Sequence, residues 1–114
     1  MKFIAAMKEV GLNFENKETG IRNYHWLATK SGYHLSVQCS KIHYSSPREM
    51  LNLECYENFE IAIMDEAGSF AYPAILDDFS RSLDLKSHFD GSIFIFVPKD
   101  LVEDLYTFLN GGNL

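Results

Sequence analysis

The sequence predicts an α+β fold: a mostly antiparallel sheet of about five strands with an N-terminal and a C-terminal helix packed against it. Three observations favour this class. Apolar residues recur at helical spacing near both ends of the chain, apolar and polar residues alternate in its middle, and glycines and prolines separate these segments. We expect residues 1–114 to form a single domain, because 114 residues lie near the usual domain size.

The N-terminal segment predicts a short helix over residues 2–10, which Gly11 ends. Four residues at helical spacing form its buried stripe: Phe3, Ile4, Met7 and Val10. The polar residues 13–20 show no apolar periodicity and are predicted to be a loop.

Residues 22–41 predict a β-hairpin, because apolar residues alternate on both sides of a turn signal. A two-residue turn at Ser31-Gly32, with glycine supplying the positive φ, keeps the two apolar faces on the same side. The predicted pairs are Tyr24 with Cys39, Trp26 with Val37, and Ala28 with Leu35. A four-residue loop preserves the faces with a shifted register, so the register stays open.

The connection that follows has the form of a capping box, with Ser46 at the N-cap, Pro47 after it and Glu49 at the third position. It predicts one or two helical turns through Leu53, with an ordered loop as the alternative. Residues 58–64 predict a third strand, residues 65–68 a turn, and residues 69–72 a short fourth strand that Pro73 ends.

The last third of the chain predicts an irregular piece, a strand and a helix. Asp77 or Asp78 is a candidate cap for a short helix that carries Phe79 and Leu83 inward. Residues 92–97 predict a strand that is apolar at every position from 93 to 97, which is typical of a central strand covered on each side. Pro98 begins the final helix, whose buried stripe is Leu101, Val102, Leu105, Phe108 and Leu109.

Charge is distributed unevenly along the chain, whose formal net charge is −6. Residues 1–48 contain seven lysines and arginines against three acids, and residues 49–114 contain three against thirteen. The second part repels phosphates, so we expect no direct contact with nucleic acid. It suits a protein partner with a basic surface, although negative charge also serves solubility alone.

The composition indicates a protein of the reducing cytoplasm that needs no cofactor and no membrane. No stretch approaches the ~18 consecutive apolar residues of a membrane-spanning helix. Lys8 and Glu9 interrupt the apolar start, unlike a signal peptide. Cys39 and Cys55 form no closely spaced framework, so we expect two free thiols.

The candidate binding residues lie where the basic and acidic parts of the chain meet. The connection 43–49 is polar and interrupted by proline, and several carboxylates follow it. We predict a protein-binding site formed by His43, Tyr44, Arg48, Glu49, Glu54, Glu57, Glu60, Asp65 and Glu66.

Two other function classes remain open. His43 as a base for Cys39, with Cys55 nearby, would define a small enzyme or a metal-binding protein, although Cys39 falls on the predicted inward face. His25 and His34 share the predicted face opposite Trp26, where partly exposed histidines are the simpler interpretation than a ligand pair. The other class is a homo-oligomeric assembly module, at its simplest a homodimer, closed through a sheet edge.

Three runs of the sequence, SVQCSKIHYSSPRE, YENFEIAIMDEAG and VPKDLVEDLYTFLNGG, resemble in that order small accessory proteins of tailed phages and prophages. The resemblance covers the second predicted strand and its loop, the third strand and its turn, and the last helix. It implies a setting in which small acidic proteins bind and inhibit host defence or nucleic-acid-handling complexes. The expected function is therefore non-enzymatic binding of a protein, with inhibition through an acidic surface as its specific form.

Overall fold

The computed structural model describes residues 1–112. Within them the chain forms, in order, α1 (Lys2–Val10), β1 (Leu12–Asn16), β2 (Ile21–Tyr24), β3 (Leu27–Ala28), β4 (His34–Gln38), β5 (Asn58–Met64), α2 (Ser82–Lys86), β6 (Phe89–Asp90), β7 (Ile93–Pro98) and α3 (Lys99–Leu109). Short 3-10 helices occupy Leu53–Cys55 and Ala74–Asp78. No helix in this part of the chain has the length and apolar character needed to cross a membrane.

Five strands form the main sheet in the order β3-β4-β5-β7-β6, and every neighbouring pair is antiparallel. β1 and β2 form a separate antiparallel hairpin. The first and last helices pack against each other, and α3 also contacts β5 and β7. The predicted α+β fold, with a five-stranded antiparallel sheet and helices at both ends of the chain, is confirmed.

The core lies between one face of the main sheet and helices α1 and α3. On that face Leu35 lies opposite Ile63 and Val37 opposite Ile61, and each of the four side chains is at most 1% exposed. α3 buries the inward stripe of Leu101, Val102, Leu105 and Leu109. Burying one such aliphatic side chain contributes about 1.5–3 kcal/mol, which is why their spacing predicts β5 and α3 correctly.

Glu103 of α3 fixes the first turn of α1. Its two carboxylate oxygens accept the backbone N–H groups of Lys2 (2.9 Å) and Phe3 (3.0 Å). Those N–H groups have no acceptor within their own helix, and the positive end of the helix dipole favours a carboxylate there. Phe3 then packs edge to face on Phe59 of β5, with ring centroids 5.2 Å apart. The two terminal helices are thus joined to each other and to the sheet.

The predicted register of the first hairpin is wrong by one residue. Leu27 lies opposite Leu35, and Ala28 lies opposite His34. The connection between β3 and β4 has five residues rather than the two predicted at Ser31-Gly32. Because successive side chains of a strand point to opposite faces, an odd number of residues exchanges the faces of β3.

Trp26 is the residue most affected by this exchange. Leu27 enters the core with 2% exposure, whereas Trp26, predicted to point inward, is 44% exposed. Trp26 lies in the break between β2 and β3, so the predicted pair with Val37 does not form. Tyr24 pairs with Leu12 of β1 instead of with Cys39.

The predicted capping box at residues 46–49 does not start a helix. The backbone N–H of Ser46 donates to the carbonyl of Asn58 (3.2 Å), and its carbonyl accepts the N–H of Glu57 (2.8 Å). Because the Ser46 carbonyl already accepts the N–H of Glu57, it is not free to accept the first hydrogen bond of a helix, as an N-cap residue does. An ordered loop, the alternative interpretation, leads to the 3-10 helix Leu53–Cys55.

Two short segments differ from the prediction because neither buries a face, so neither shows the alternation of apolar and polar residues by which a strand is recognised. The polar residues 13–20 contain most of β1, whose residues are exposed apart from a half-buried Asn16. Residues 69–72 were predicted as a strand, but Phe70 forms only an isolated bridge to Met64.

Residues 74–86 carry their apolar side chains in a different order from the prediction. Phe79 is buried as predicted, whereas Leu83 is 83% exposed and Leu85 occupies the inward position of α2. Asp77 and Asp78 belong to a 3-10 helix and do not cap α2. With one inward residue per turn, so short a helix leaves little periodic signal.

Candidate functional site

The outer face of the main sheet, on the side away from α1 and α3, is formed chiefly by His34, Ser36 and Gln38 of β4 and by Glu60, Ala62 and Met64 of β5. These side chains alternate along each strand with the core residues. An open groove of about 330 Å³ lies over this face, and most of the residues at its base are polar or small. A groove in which several polar groups converge, on a sheet face that no helix covers, is a candidate binding site.

Gln38 attaches the β1–β2 hairpin to the outer face. Its Oε1 accepts the backbone N–H of Tyr24 (2.8 Å), and its Nε2 donates to the Tyr24 carbonyl (2.9 Å) and to Oγ of Ser36 (3.0 Å). The side-chain amide thereby makes the two bonds that a neighbouring strand would make. Because Gln38 is 7% exposed, its polar atoms require these partners. The hairpin, with Tyr24 and the Trp26 that follows, forms one wall of the groove.

His43 lines the groove but is almost completely buried. Its Nδ1 lies 2.7 Å from Oγ of Ser40, which is fully buried. Burial lowers the pKa of His43, Glu60 opposes this shift, and Arg22 acts in the same direction as burial. The imidazole is therefore neutral at pH 7. Since Ser40 is closed to solvent, this pair holds the loop in place and presents no nucleophile.

Glu60 supplies the negative charge of the groove. Among the described residues that line it, Glu60 is the only acid. Its Oε2 accepts the backbone N–H of Tyr44 at 2.8 Å. A carboxylate has about four acceptor sites, so Glu60 retains the capacity to bind a cationic group. The bond to Tyr44 also connects the groove to the next exposed feature.

Tyr44, Arg48 and Phe96 form an exposed cluster, the aromatic ridge. The rings of Tyr44 and Phe96 meet edge to face, 5.8 Å apart, and are 42% and 36% exposed. The guanidinium of Arg48 lies 5.2 Å from the centre of the Tyr44 ring. The N–H of Phe96 donates to the carbonyl of Tyr44 at 3.0 Å. Backbone and side-chain contacts together hold the two rings at the surface.

A bulge in β7 turns Phe96 towards solvent. Phe59 pairs with Val97 and Ile61 with Phe94, so β7 contains one residue more than β5 in this interval. Phe96 has a φ of 50°, in the left-handed region that costs a non-glycine residue about 1–2 kcal/mol. The prediction that this strand is covered on both faces is wrong at this residue. Strain of this kind concentrates at functional sites.

The structure brings together four of the nine predicted site residues. Tyr44 donates to Glu60, Arg48 stacks on Tyr44, and His43 lines the groove beside Glu60. These residues belong to two segments separated in sequence, and the pairing of Gln38 with Glu60 in the β4–β5 ladder closes the distance between them. The remaining members of the predicted site are placed elsewhere.

The other predicted residues, all carboxylates, are spread over the surface: Glu49, Glu54, Glu57, Asp65 and Glu66. Glu54 forms an ion pair with Lys8 of α1. Asp65 accepts two backbone N–H groups of its own turn at 2.9 Å, beyond the opposite end of β5 from Glu57, and Glu66 lies in the same turn. The acidic residues after β4 therefore do not cluster around the groove, and among the described residues Glu60 is the only one of them that lines it.

The Cys39, His43 and Cys55 arrangement is not assembled. Cys39 is fully buried, and its Sγ lies 3.6 Å from Nη2 of Arg22. Burial raises the pKa of Cys39 to about 11, against the opposing effect of Arg22. Cys55 is exposed, and His43 bonds Ser40. In residues 1–112, no three His, Cys, Asp or Glu side chains lie close enough together to hold a metal ion.

Sequence reasoning missed Trp26, Gln38 and Phe96 as site residues. Trp26 and Phe96 are large and apolar, so alternation assigned them to buried faces. The polar partners of the apolar residues in β4 were the available signal, since Ser36 and Gln38 mark a face that no helix covers. His25 and His34, predicted opposite Trp26, lie on the same side as that residue, with the Trp26 and His34 rings 6.2 Å apart.

The fold and the site define a small α+β protein with an open groove and an exposed aromatic ridge on one sheet face. Comparison with known protein families, with curated proteins and with solved structures found no match. Its function is therefore inferred from the contacts, exposure and charge of the outer face and the ridge.

Proposed function

We propose that the protein is a non-enzymatic protein-binding module that contacts a basic partner surface through the groove and the aromatic ridge. The main support is the exposure of large aromatic side chains around one carboxylate. Trp26, Tyr44 and Phe96 are 44%, 42% and 36% exposed, and Phe70, which also lines the groove, is 56% exposed. Aromatic residues are enriched in protein interfaces, and tryptophan and tyrosine are enriched among the few residues that dominate the binding energy.

The geometry favours a binding role over catalysis. The buried Cys39 is held as a protonated thiol, and the Nδ1 of His43 is occupied by a buried serine. Neither group offers the activated nucleophile that covalent catalysis requires. The ridge, by contrast, holds apolar rings in water at a cost, because Phe96 adopts a strained backbone conformation to do so. A partner that covers these rings recovers their burial energy.

The shape of the main sheet disfavours the alternative of assembly through a sheet edge. Both edge strands, β3 and β6, are two residues long. So short an edge offers few free backbone groups for pairing with a second chain. The proposed contact surface is instead a sheet face and the adjoining ridge, which contact the partner through side chains and not through backbone pairing.

Inhibition of a host defence or nucleic-acid-handling complex is the specific form of this function that the phage resemblance implies. It is supported by the net charge of −6 and by the carboxylate in the groove, both suited to a basic surface. Under this proposal the partner normally uses that basic surface for nucleic acid, so binding of the protein competes with it.

The test is capture from a bacterial lysate on immobilised protein. Tyr44→Ala combined with Phe96→Ala removes both rings of the ridge, and Leu83→Ala is the matched control, because Leu83 is the most exposed large apolar residue among residues 1–112 and lies on α2. We expect the same partner from the wild-type protein and the control, and about a tenfold loss with the ridge variant. Equal capture by all three proteins, or none by any, would contradict the proposal.

The electrostatic part has its own measurement. Affinity for the captured partner is compared at about 0.05 M and about 0.5 M salt, where the screening length shortens from beyond 10 Å to below 5 Å. A decrease in the association rate at high salt is expected for an acidic protein on a basic surface. If neither the affinity nor the association rate changes with salt, the electrostatic part of the proposal is wrong and the aromatic side chains alone account for binding.

A further inference from the structure

We propose that the groove on the outer face takes an arginine side chain of the partner, with the Glu60 carboxylate as its counter-ion and the Trp26 indole as its stacking surface. This inference rests on the proposed function and names the group that the outer face recognises. It is carried by the dimensions, charge and aromatic lining of the groove.

The dimensions suit one long side chain. A volume of about 330 Å³ lies near the lower limit of ~300–1,000 Å³ for small-ligand sites. The groove opens to solvent, so the head group of a side chain can enter while the partner backbone remains outside. A folded element of the partner, such as a helix, needs a wider channel, since its diameter with side chains is about 10–12 Å.

The charge selects a cation. Glu60 is the only acid among the described residues that line the groove, and His43 beside it is neutral at pH 7. Arg22, a buried cation, is not among the residues that line the groove, and it donates to the carbonyls of Leu51 (2.9 Å) and Cys39 (3.2 Å). An anionic side chain entering the groove would meet the Glu60 carboxylate without a compensating positive group among the lining residues.

The lining distinguishes arginine from lysine. Guanidinium is planar, carries five N–H donors and stacks on aromatic faces, whereas ammonium is a compact point charge. Four of the lining residues carry side-chain oxygen acceptors: Glu60, Ser36, Asn13 and Asn23. Trp26 offers the aromatic surface that interacts most strongly with cations. Several acceptors combined with one aromatic plane match guanidinium in shape as well as in charge.

The test uses fluorescence of Trp26, the chain's only tryptophan. The probes are capped tripeptides, Gly-Arg-Gly and three analogues in which arginine is replaced by lysine, by glutamate, or by citrulline, its neutral isostere. We expect a saturable change in emission with the arginine peptide at millimolar concentration and at least about tenfold weaker binding of the citrulline and glutamate peptides, since hydrogen bonds to charged groups are roughly twice as strong as neutral ones. Lysine should be intermediate.

Glu60→Gln isolates the carboxylate. Glutamine keeps an oxygen acceptor for the Tyr44 N–H, so the loop retains its hydrogen bond. Glu57→Gln is the matched control, because it removes the same charge from an exposed residue just before β5. The arginine peptide should bind about tenfold more weakly to Glu60→Gln and unchanged to Glu57→Gln. Backbone amide shifts of residue 60 and its neighbours provide a second measurement.

Three outcomes overturn this inference: no saturable change in emission up to about 10 mM peptide, well above the millimolar range expected; equal binding of the glutamate and arginine peptides; or full affinity in Glu60→Gln. Each leaves the protein-binding function standing if the ridge variant still loses the captured partner. Equal capture by the wild-type protein and the ridge variant contradicts the proposed function, whichever result the peptides give. The two failures are therefore distinguishable.

Discussion

Arg22 is a cation that the fold buries to connect its parts. Its guanidinium donates to the carbonyls of Leu51 and Cys39 and, at 3.0 Å, to the hydroxyl of Tyr56. The rings of Tyr24 and Tyr56 lie 5.4 Å and 5.7 Å from its Cζ. These contacts offset the cost of removing the charge from water. They also enclose Cys39, so its thiol is shielded from solvent whereas that of Cys55 is exposed.

The two thiols should differ sharply in reactivity. Thiolate is the reactive species, and with a pKa of about 11 the buried Cys39 stays protonated at about pH 8. Cys55 is exposed. We expect a thiol reagent to modify one site of the native protein, Cys55, and both sites in denaturant, as counted by mass spectrometry. Cys55→Ser is the control and should leave the native protein unlabelled. Rapid labelling of native Cys39 would reopen the enzymatic interpretation.

At the scale of elements, β7 combines a structural irregularity with the exposed ridge. Phe96→Gly relieves about 1–2 kcal/mol of left-handed backbone strain, against a loss of about 0.5–1.5 kcal/mol for the aromatic pair with Tyr44. Phe96→Ala is the matched control, because it removes the same ring but keeps a Cβ and therefore keeps the left-handed strain. The sign of the difference between the two variants is the quantity of interest.

Urea unfolding should therefore find Phe96→Gly more stable than Phe96→Ala by about 0.5–1 kcal/mol, the relieved strain less the flexibility cost of glycine. The same Phe96→Gly protein should lose the captured partner, because its ridge is incomplete. Equal loss of stability in the two variants would show that residue 96 is not strained and would remove one support for the ridge as a functional feature.

The same elements show why hydrophobic periodicity predicts some of this fold and misses the rest. β5, α1 and α3 each bury one face, so their apolar residues recur at strand or helix spacing. β1 has no buried residue and leaves no such pattern. The face of β3 depends on whether its loop has an odd or even number of residues, which composition does not specify. A register that differs by one residue therefore exchanges the predicted faces of Leu27 and Trp26.

The candidate site follows the same division. His43, Tyr44, Arg48 and Glu60 were predictable because a polar connection beside a strand is a common place for binding residues. Trp26 and Phe96 were not, since an apolar side chain is assigned to the core unless the covering layer is known. That layer depends on where α1 and α3 pack, which is a property of the folded chain.

At the scale of the whole molecule, the positions of the acids and their ion pairs differ from the single acidic region that the sequence predicts. Residues 49–114 contain ten more acids than bases, which predicts a strongly acidic region. One arginine engages three of these acids: Nη1 of Arg81 lies 2.9 Å from Asp100 and 3.0 Å from Asp104, and its Nη2 lies 2.7 Å from Asp84. This cluster of α2 and α3 side chains, with Arg81, holds three of the thirteen acids of residues 49–114, none of which lines the groove.

Arg81→Gln should expose this repulsion. Three aspartates would remain close together without their shared cation, whose own pKa these carboxylates raise. A surface network of this kind contributes about 1 kcal/mol at low salt, and the contribution decreases as salt screens the charges. We expect urea unfolding to show a loss of about that size at low ionic strength and a smaller one at about 0.5 M salt.

Lys8→Gln is the control for Arg81→Gln, since it breaks only the exposed pair with Glu54 and should leave the unfolding free energy unchanged at both salt concentrations. Partner capture provides the functional comparison. If the partner is attracted to the groove and not to negative charge in general, Arg81→Gln makes the protein more acidic without improving its affinity. Tighter capture by Arg81→Gln than by the wild-type protein would instead assign the electrostatic attraction to the α2–α3 aspartates, and the basic surface of the partner would then have to face the helices.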